Sequence, residues 1–194
     1  MKRAALHTVA WIILFLVLPA GRLNGQFTKA GIGLVLKNPN EFHDEGNGFL
    51  GVNLRGIYEL SLPFHLCAGF TYVIPNTYKE TVPSLYKWSN SLYMFDVNAH
   101  YIFNELDRFE FYGLGGVNVS IFRYHWVSEF ENFRETGGNT NVYPGLNLGA
   151  GSYMRFNDQI DFFADARIIL ASEIQFVITG GILVNLQWFA KHDE

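Results

Sequence analysis

"IQFVITGGILVNLQWF", Ile174 to Phe189, is sixteen residues without one charge, and its reading decides the fold. A spanning helix wants about 20 consecutive, mostly apolar residues, and this stretch is shorter and interrupted by Gln, Thr, Asn and two glycines. Taken every second residue, it separates. One set is Ile174, Phe176, Ile178, Gly180, Ile182, Val184, Leu186 and Trp188; the other is Gln175, Val177, Thr179, Gly181, Leu183, Asn185, Gln187 and Phe189. A period of two belongs to a β-strand, whose side chains alternate between faces. The first set is expected to touch lipid.

The same alternation recurs along the chain. Eight strands are predicted, approximately Phe27–Lys37, Gly48–Glu59, Phe64–Pro75, Ser91–Phe103, Arg108–Tyr124, Asn141–Phe156, Ile160–Leu170 and Ile174–Trp188. Each is near or above the roughly 9–11 residues that cross a bilayer at a tilt. Their connections alternate in kind. Long polar segments, "NPNEFHDEGN", "NTYKETVPSLYKWSN" and "HWVSEFENFRETGGNT", follow the first, third and fifth strands, whereas "LSLP", "NELD" and "NDQ" follow the second, fourth and sixth. Long loops on one side and short turns on the other is the arrangement of an outer-membrane barrel; the short connection at Ala171–Glu173 departs from it.

Which face is wet follows from the composition of the two sets. In the fourth predicted strand Tyr93, Phe95, Val97, Ala99, Tyr101 and Phe103 oppose Met94, Asp96, Asn98 and His100. In the seventh, Ile160, Phe162, Ala164, Ala166, Ile168 and Leu170 oppose Asp161, Phe163, Asp165, Arg167 and Ile169. In a soluble barrel the charged set would face water; in a membrane barrel it fills the lumen. The 18 Phe, 10 Tyr and 4 Trp favour the second choice, because Phe27, Phe64, Tyr93, Tyr101, Phe103, Phe109, Phe156, Trp188 and Phe189 fall near strand ends, as interfacial aromatic girdles do. The fold expected is therefore all-β: an eight-stranded antiparallel up-and-down transmembrane β-barrel.

The N-terminus reads as an export signal of residues 1–25. Lys2 and Arg3 precede a 13-residue apolar run, Thr8 to Ala20, a length that suits a signal-peptide core and falls short of a bilayer span. Cleavage is expected after Gly25, leaving residues 26–194 as one barrel domain. Removing residues 1–25 takes out Lys2, Arg3 and Arg22 and no acid, so 14 basic residues become 11 against 18 acidic ones, a formal charge of −7. That balance disfavours nucleic acid as a partner. Cys67 is the only cysteine, so no intramolecular disulfide forms, and it reads as a small buried filler.

An eight-stranded barrel is just wide enough for side chains to fill it, which argues against a general porin. The predicted lumen network is Arg55, Glu59, Asp96, His100, Glu110, Arg155, Asp161, Asp165 and Arg167, joined by Lys29 and His65 and by the uncharged Asn118, Asn147, Gln175, Thr179 and Asn185. Buried charges of both signs are tolerable only when paired and hydrogen-bonded, so this set reads as a structural plug. The strand glycines, as in "GLGG" and "GLNLGAG", lack the Lys-Ser/Thr of a phosphate loop and read as close backbone approaches.

Two other chemistries have fragments of support. "YHWVSEFE" places His125, Ser128 and Glu129 near the outer rim, the residue types of a lipid A-modifying enzyme, at no recognisable catalytic spacing. His43 with Asp44 and Glu45, or His100 with Asp96, are isolated pairs rather than metal sites; no cofactor or metal is expected. The outer connections carry Tyr78, Tyr86, Trp88, Trp126, Phe130 and Phe133, residue types enriched in contact surfaces and equally suited to rest on lipid headgroups. A secreted soluble barrel holding a small apolar ligand is the remaining alternative.

The junction "GQF" at Gly25–Phe27, "KAGIGL" at Lys29–Leu34 and "YPGLNLGAGSYMRFNDQIDFFADARIIL" from Tyr143 to Leu170 resemble the Bacteroidota outer-membrane β-barrel domain proteins. That broad group includes PorT-like proteins and, more distantly, the OmpX- and OmpW-type small barrels. The resemblance covers essentially the whole mature chain. It implies insertion by the barrel-assembly machinery. The leading expectation is a non-enzymatic integral outer-membrane barrel, in contact with lipopolysaccharide, whose work is structural or done by its outer loops, in adhesion or in docking a protein partner.

Overall fold

The computed structural model describes residues 27–38, 50–75, 77–81, 85–130 and 133–186. The predicted signal segment, most of the first outer connection with His43, Asp44 and Glu45, and the terminal Trp188 and Phe189 lie outside the described residues. Nine strands form: β1 (Lys29–Lys37), β2 (Leu50–Ser61), β3 (Phe64–Val73), β4 (Thr77–Glu80), β5 (Leu85–Leu106), β6 (Phe109–Phe130), β7 (Phe133–Arg155), β8 (Ile160–Leu170) and β9 (Ile174–Asn185). All pairings are antiparallel. β3 pairs with β5 and β1 with β9, so β1, β2, β3, β5, β6, β7, β8 and β9 close into a ring of eight. Closure leaves the ring without a raw edge.

Short turns at one end have local causes. Asp107, at φ 52°, turns β5 into β6, a left-handed conformation that Asp tolerates better than most residues. Between β7 and β8 the Asn157 carboxamide oxygen accepts from the backbone N–H groups of Gln159 (2.9 Å) and Ile160 (2.7 Å), an Asx turn.

The barrel is inside-out. Ile32, Leu34, Leu54, Phe95, Val117, Leu148, Ile168, Phe176, Ile178 and Ile182 point outward and are exposed, while Asn53, Arg55, Asp96, Asn98, His100, Asn147, Asp165 and Arg167 are buried in the lumen. The alternation read from the fourth, seventh and eighth predicted strands has this direction. The seam between β3 and β5 carries three outward aromatic pairs at directly opposed positions, Phe64–Tyr101 (5.3 Å), Phe70–Phe95 (5.0 Å) and Tyr72–Tyr93 (5.2 Å); such cross-strand pairs contribute roughly 0.2–1 kcal/mol each.

Lumen glycines make room for these inward groups. A Cβ at Gly181 would collide with the Ile32 carbonyl oxygen and lie 2.8 Å from the Phe163 ring, and one at Gly33 would meet the same ring. Phe163 therefore fills the centre only because two strands of the β1–β9 seam carry no side chain opposite it.

Two outer connections depart from expectation. The segments predicted as loops after the third and fifth strands are largely strand: β5 begins at Leu85, β6 runs to Phe130, β7 restarts at Phe133, and Thr77–Glu80 forms the additional β4. β5 parts from β3 above Leu92, and β7 parts from β8 above Leu146. Past those points a four-stranded sheet, β4 to β7, continues beyond the barrel rim. Nine residues of β6, Phe122 to Phe130, correspond to roughly 30 Å along the strand at about 3.3 Å per residue.

Candidate functional site

The lumen is layered, because inward side chains of like type from several strands come to matching heights above the short-turn end. At the short-turn mouth Lys29 Nζ bridges Glu59 (2.8 Å) and Asp161 (2.8 Å). An apolar and aromatic layer follows: Ile57, Cys67, Ile102, Tyr112, Leu114, Tyr153, Phe163 and Leu183. His100 stacks on Tyr112 with ring centroids 4.3 Å apart, and its Nδ1 lies 2.5 Å from the Tyr153 hydroxyl.

A charged belt crosses the middle. Arg55 donates to Asp165 (2.7 Å) and to the Asn53 carboxamide oxygen (2.8 Å), with its guanidinium 3.8 Å over the Phe163 ring. Arg167 donates to both carboxylate oxygens of Asp96 (3.3 and 3.4 Å), which also accepts from Asn98 (2.6 Å), and Asn147 donates to Asn98 (2.7 Å). Side chains of both arginine pairs are at most 2 % exposed. Coulomb attraction in this low-dielectric belt offsets the loss of hydration only because both ions of each pair are present. Above it sits a second apolar layer, Val35, Val73, Met94, Ile169 and Val177.

Arg155 is placed differently from its expectation as a lumen group. Its side chain is 64 % exposed and its contact to Glu110 is 3.5 Å. It is the last residue of β7, where the lumen opens to solvent, so the inward direction of the side chain no longer implies burial.

The outer residues divide by face. Trp88 on β5 and Trp126 on β6 oppose one another and both continue the lumen-facing, concave side of the projecting sheet. Trp88 is buried and Trp126 half-buried, whereas Phe133 is exposed at the start of β7. Tyr78, Tyr86 and Phe130 fall within β4, β5 and β6. His125 and Ser128 are three residues apart in the regular part of β6, which sends them to opposite faces. His125 Nδ1 lies 3.0 Å from the Gly137 carbonyl oxygen, so the structure does not bring His125, Ser128 and Glu129 together as a catalytic group. Among the described residues no group of three or more His, Cys, Asp or Glu is placed to hold a metal.

Sequence reasoning missed the concave face of the projecting sheet as a unit. Its register aligns Trp88, Trp126 and Gly137 in one row, Asn90, Tyr124 and Asn139 in the next, and Leu92, Phe122 and Asn141 in a third. The available signal was the spacing of Trp88 and Asn90 on one strand and of Phe122, Tyr124 and Trp126 on the next.

An eight-stranded, inside-out ring with one long-stranded wall is the fold of small bacterial outer-membrane β-barrels. Among solved structures the chain is similar to Ail, the attachment invasion locus protein of Yersinia pestis, in complex with the heparin analogue sucrose octasulfate (TM-score 0.54, 15 % identity, 80 % of this chain and 94 % of that one). It is also similar to Ail alone (TM-score 0.52, 15 % identity, 82 % and 99 %) and to a major outer membrane protein from Thermus thermophilus (TM-score 0.56, 10 % identity, 80 % and 98 %). No family model matches the sequence, and no curated protein sequence matches it significantly.

Proposed function

We propose that this protein is a non-enzymatic integral outer-membrane barrel that acts through its projecting sheet, in adhesion or in docking a partner. The observation that carries the reading is a change of solvent along the outward face of the long strands. On β6, Val117, Val119 and Ile121 give way to Arg123 and His125; on β5, Phe95 and Tyr93 give way to Ser91, Ser89 and Lys87; on β7, Leu148, Leu146 and Val142 give way to Thr140, Thr136 and Arg134. Ser91, Arg123 and Thr140 are aligned across the sheet, so the switch falls at one level, as at the edge of a hydrocarbon layer. A soluble barrel would instead leave the exposed belt of Leu, Ile and Phe against water, far beyond an ordinary apolar patch.

The convex side above that level is basic. Lys79 opposes Lys87, and Arg123, His125 and Arg134 share the face, with Glu129 across from Arg134. Cations here suit the phosphates of lipopolysaccharide, and the complex of Ail with a sulfated heparin analogue supports a polyanion at such a surface. The lumen belt serves as a structural plug, residues 1–25 as the export signal cleaved near Gly25, and the barrel-assembly machinery as the inserting partner. The motifs from Gly25 to Leu34 and Tyr143 to Leu170 support a Bacteroidota, PorT-like or OmpX-like affinity.

Single-cysteine labelling tests the placement. In a Cys67→Ala background, Thr136→Cys is expected to react with a membrane-impermeant maleimide on intact cells, and Asp107→Cys, in the turn at the other end, only after permeabilisation. The reverse pattern, or equal labelling of a protein released without detergent, would refute it.

A further inference from the structure

Two opposite walls of the ring present unlike outward faces. β1 and β6 are four strands apart in either direction around the ring, so the β1–β2 wall stands across the barrel from the wall that carries the projecting sheet. On that sheet charge is sorted by alternation. In Lys79–Glu80 and Arg134–Glu135 the cation turns to the convex side and the acid to the concave side. The convex side thereby exposes Lys79, Lys87, Arg123 and Arg134 with a single acid, Glu129. Among the described residues it holds every outward Lys and Arg of the outer half. The opposite wall has the reverse sign: β1 and β2 are joined by residues 39–49, which contain Glu41, Asp44 and Glu45 and no Lys or Arg.

The same two walls also differ at the hydrocarbon level. Gly113 and Gly115 face outward on β6, where a Cβ would meet nothing within 4 Å at Gly113 and nothing nearer than 3.9 Å at Gly115. Outward Gly56 has an internal reason, since a Cβ there would lie 2.9 Å from the Phe27 ring; Gly113 and Gly115 have none. Register sets Gly113 beside Ala150 and then Ala166, a trough bounded on β8 by Ile168 and Phe162. Across the barrel Leu34, 64 % exposed, stands beside Gly180 and between Ile32 and Leu36 as a ridge along β1. In two upright barrels side by side, strands cross at about twice their tilt of roughly 35–45°. A β1 ridge therefore runs along a trough that crosses β6, β7 and β8.

From charge and shape together we infer that a second copy of this chain docks on the β5–β8 wall by its β1–β2 wall, the inference resting on the outer-membrane placement proposed above. Opposite charge brings the two faces together above the bilayer and suppresses the like-charged pairings of basic wall with basic wall. Within the bilayer, lipid tails are as apolar as leucine, so contact between barrels gains only where surfaces approach closely, and small residues permit that. Carboxylates of the neighbouring copy take the place that phosphates hold where the wall is free. The two patches lie on different walls of one chain, so the contact is heterologous. Copies held upright in one membrane repeat it into rows instead of closing a dimer.

Cysteine cross-linking in outer membranes tests this. In the Cys67→Ala background Leu34→Cys and Gly115→Cys are combined, at sites five and six residues beyond the short-turn starts of β1 and β6. Oxidation with copper phenanthroline is expected to give a ladder of dimers, trimers and larger species on a non-reducing denaturing gel, and monomer alone from either single variant. Adding Lys87→Glu with Arg123→Glu is expected to weaken the ladder about fivefold or more, because like charges then oppose. Further adding Glu41→Lys with Glu45→Lys is expected to restore it, whereas phosphate bound to the wall would gain nothing from lysines on the opposite side. Heat-modifiable gel migration verifies that each variant is folded. Should the cysteine pair fail to fold, carbodiimide on the unsubstituted protein, which joins an amine to a carboxylate in contact, is expected to link Lys79 or Lys87 to Glu41, Asp44 or Glu45 in bands of dimer mass or above. Monomer alone from the folded double variant, dimers from a single variant, a ladder unmoved by charge reversal, or a reversal that the lysines do not rescue would overturn the inference. Those results leave the labelling of Thr136→Cys untouched, so this failure is distinguishable from failure of the outer-membrane placement.

Discussion

Arg155 and Arg167 carry the same group on neighbouring strands and both point inward, yet depth separates them. Arg167 is enclosed against Asp96, whereas Arg155 reaches out of the lumen beside Glu110. Reversing the buried charge with Arg167→Glu sets two carboxylates together and strips Asp96 of its cation, leaving it the Asn98 donor; the loss expected is about 3–5 kcal/mol or more. Arg155→Glu stays within about 1 kcal/mol, because water screens it. Urea midpoints of the refolded barrel measure both, and equal midpoints for the two variants would contradict the layered lumen. Alternation in the sequence revealed the direction of each side chain. It could not reveal depth, since Arg155 differs from Arg167 only in lying at the last residue of a strand.

At the scale of elements, alternation was readable wherever one face met hydrocarbon and the other a polar lumen, as in Ile160–Leu170, whose predicted and observed bounds agree. Above the rim both faces of β5, β6 and β7 carry polar groups, and "SNS" at Ser89–Ser91 or "TGGNTN" at Thr136–Asn141 offers no contrast to follow. Hydrophobic period reports a difference of solvent across a strand, so these stretches read as loops. Their pairing comes from continuing the ladder set by the barrel below. It follows that the extension depends on the barrel and not the reverse. Joining Arg123 to Thr140 through Asn-Gly, a turn that suits a two-residue hairpin, is expected to leave the temperature at which gel migration changes within a few degrees of the parent. A collapse of that temperature would show that the ring needs the sheet above it.

Across the whole molecule, two apolar clusters flank a paired charged belt whose side chains are almost wholly buried. Planar bilayers containing the protein are expected to show no stepwise conductance. Stable channels of uniform size would disprove the plug. The concave face, with Trp88, Tyr124 and Trp126, and the convex basic face stand back to back on one thin sheet.

The lone thiol of Cys67, enclosed in the lower apolar layer, gives the protein an internal record of its own assembly. Before the first and last strands meet, that sulfur is open to alkylation; afterwards it is walled in by the ring. Iodoacetamide added at intervals during refolding would therefore stamp only chains not yet closed, and the fading of the stamp would time the zipping of β1 onto β9. A sulfur as reactive in the finished barrel as in urea would mean that the wall leaks.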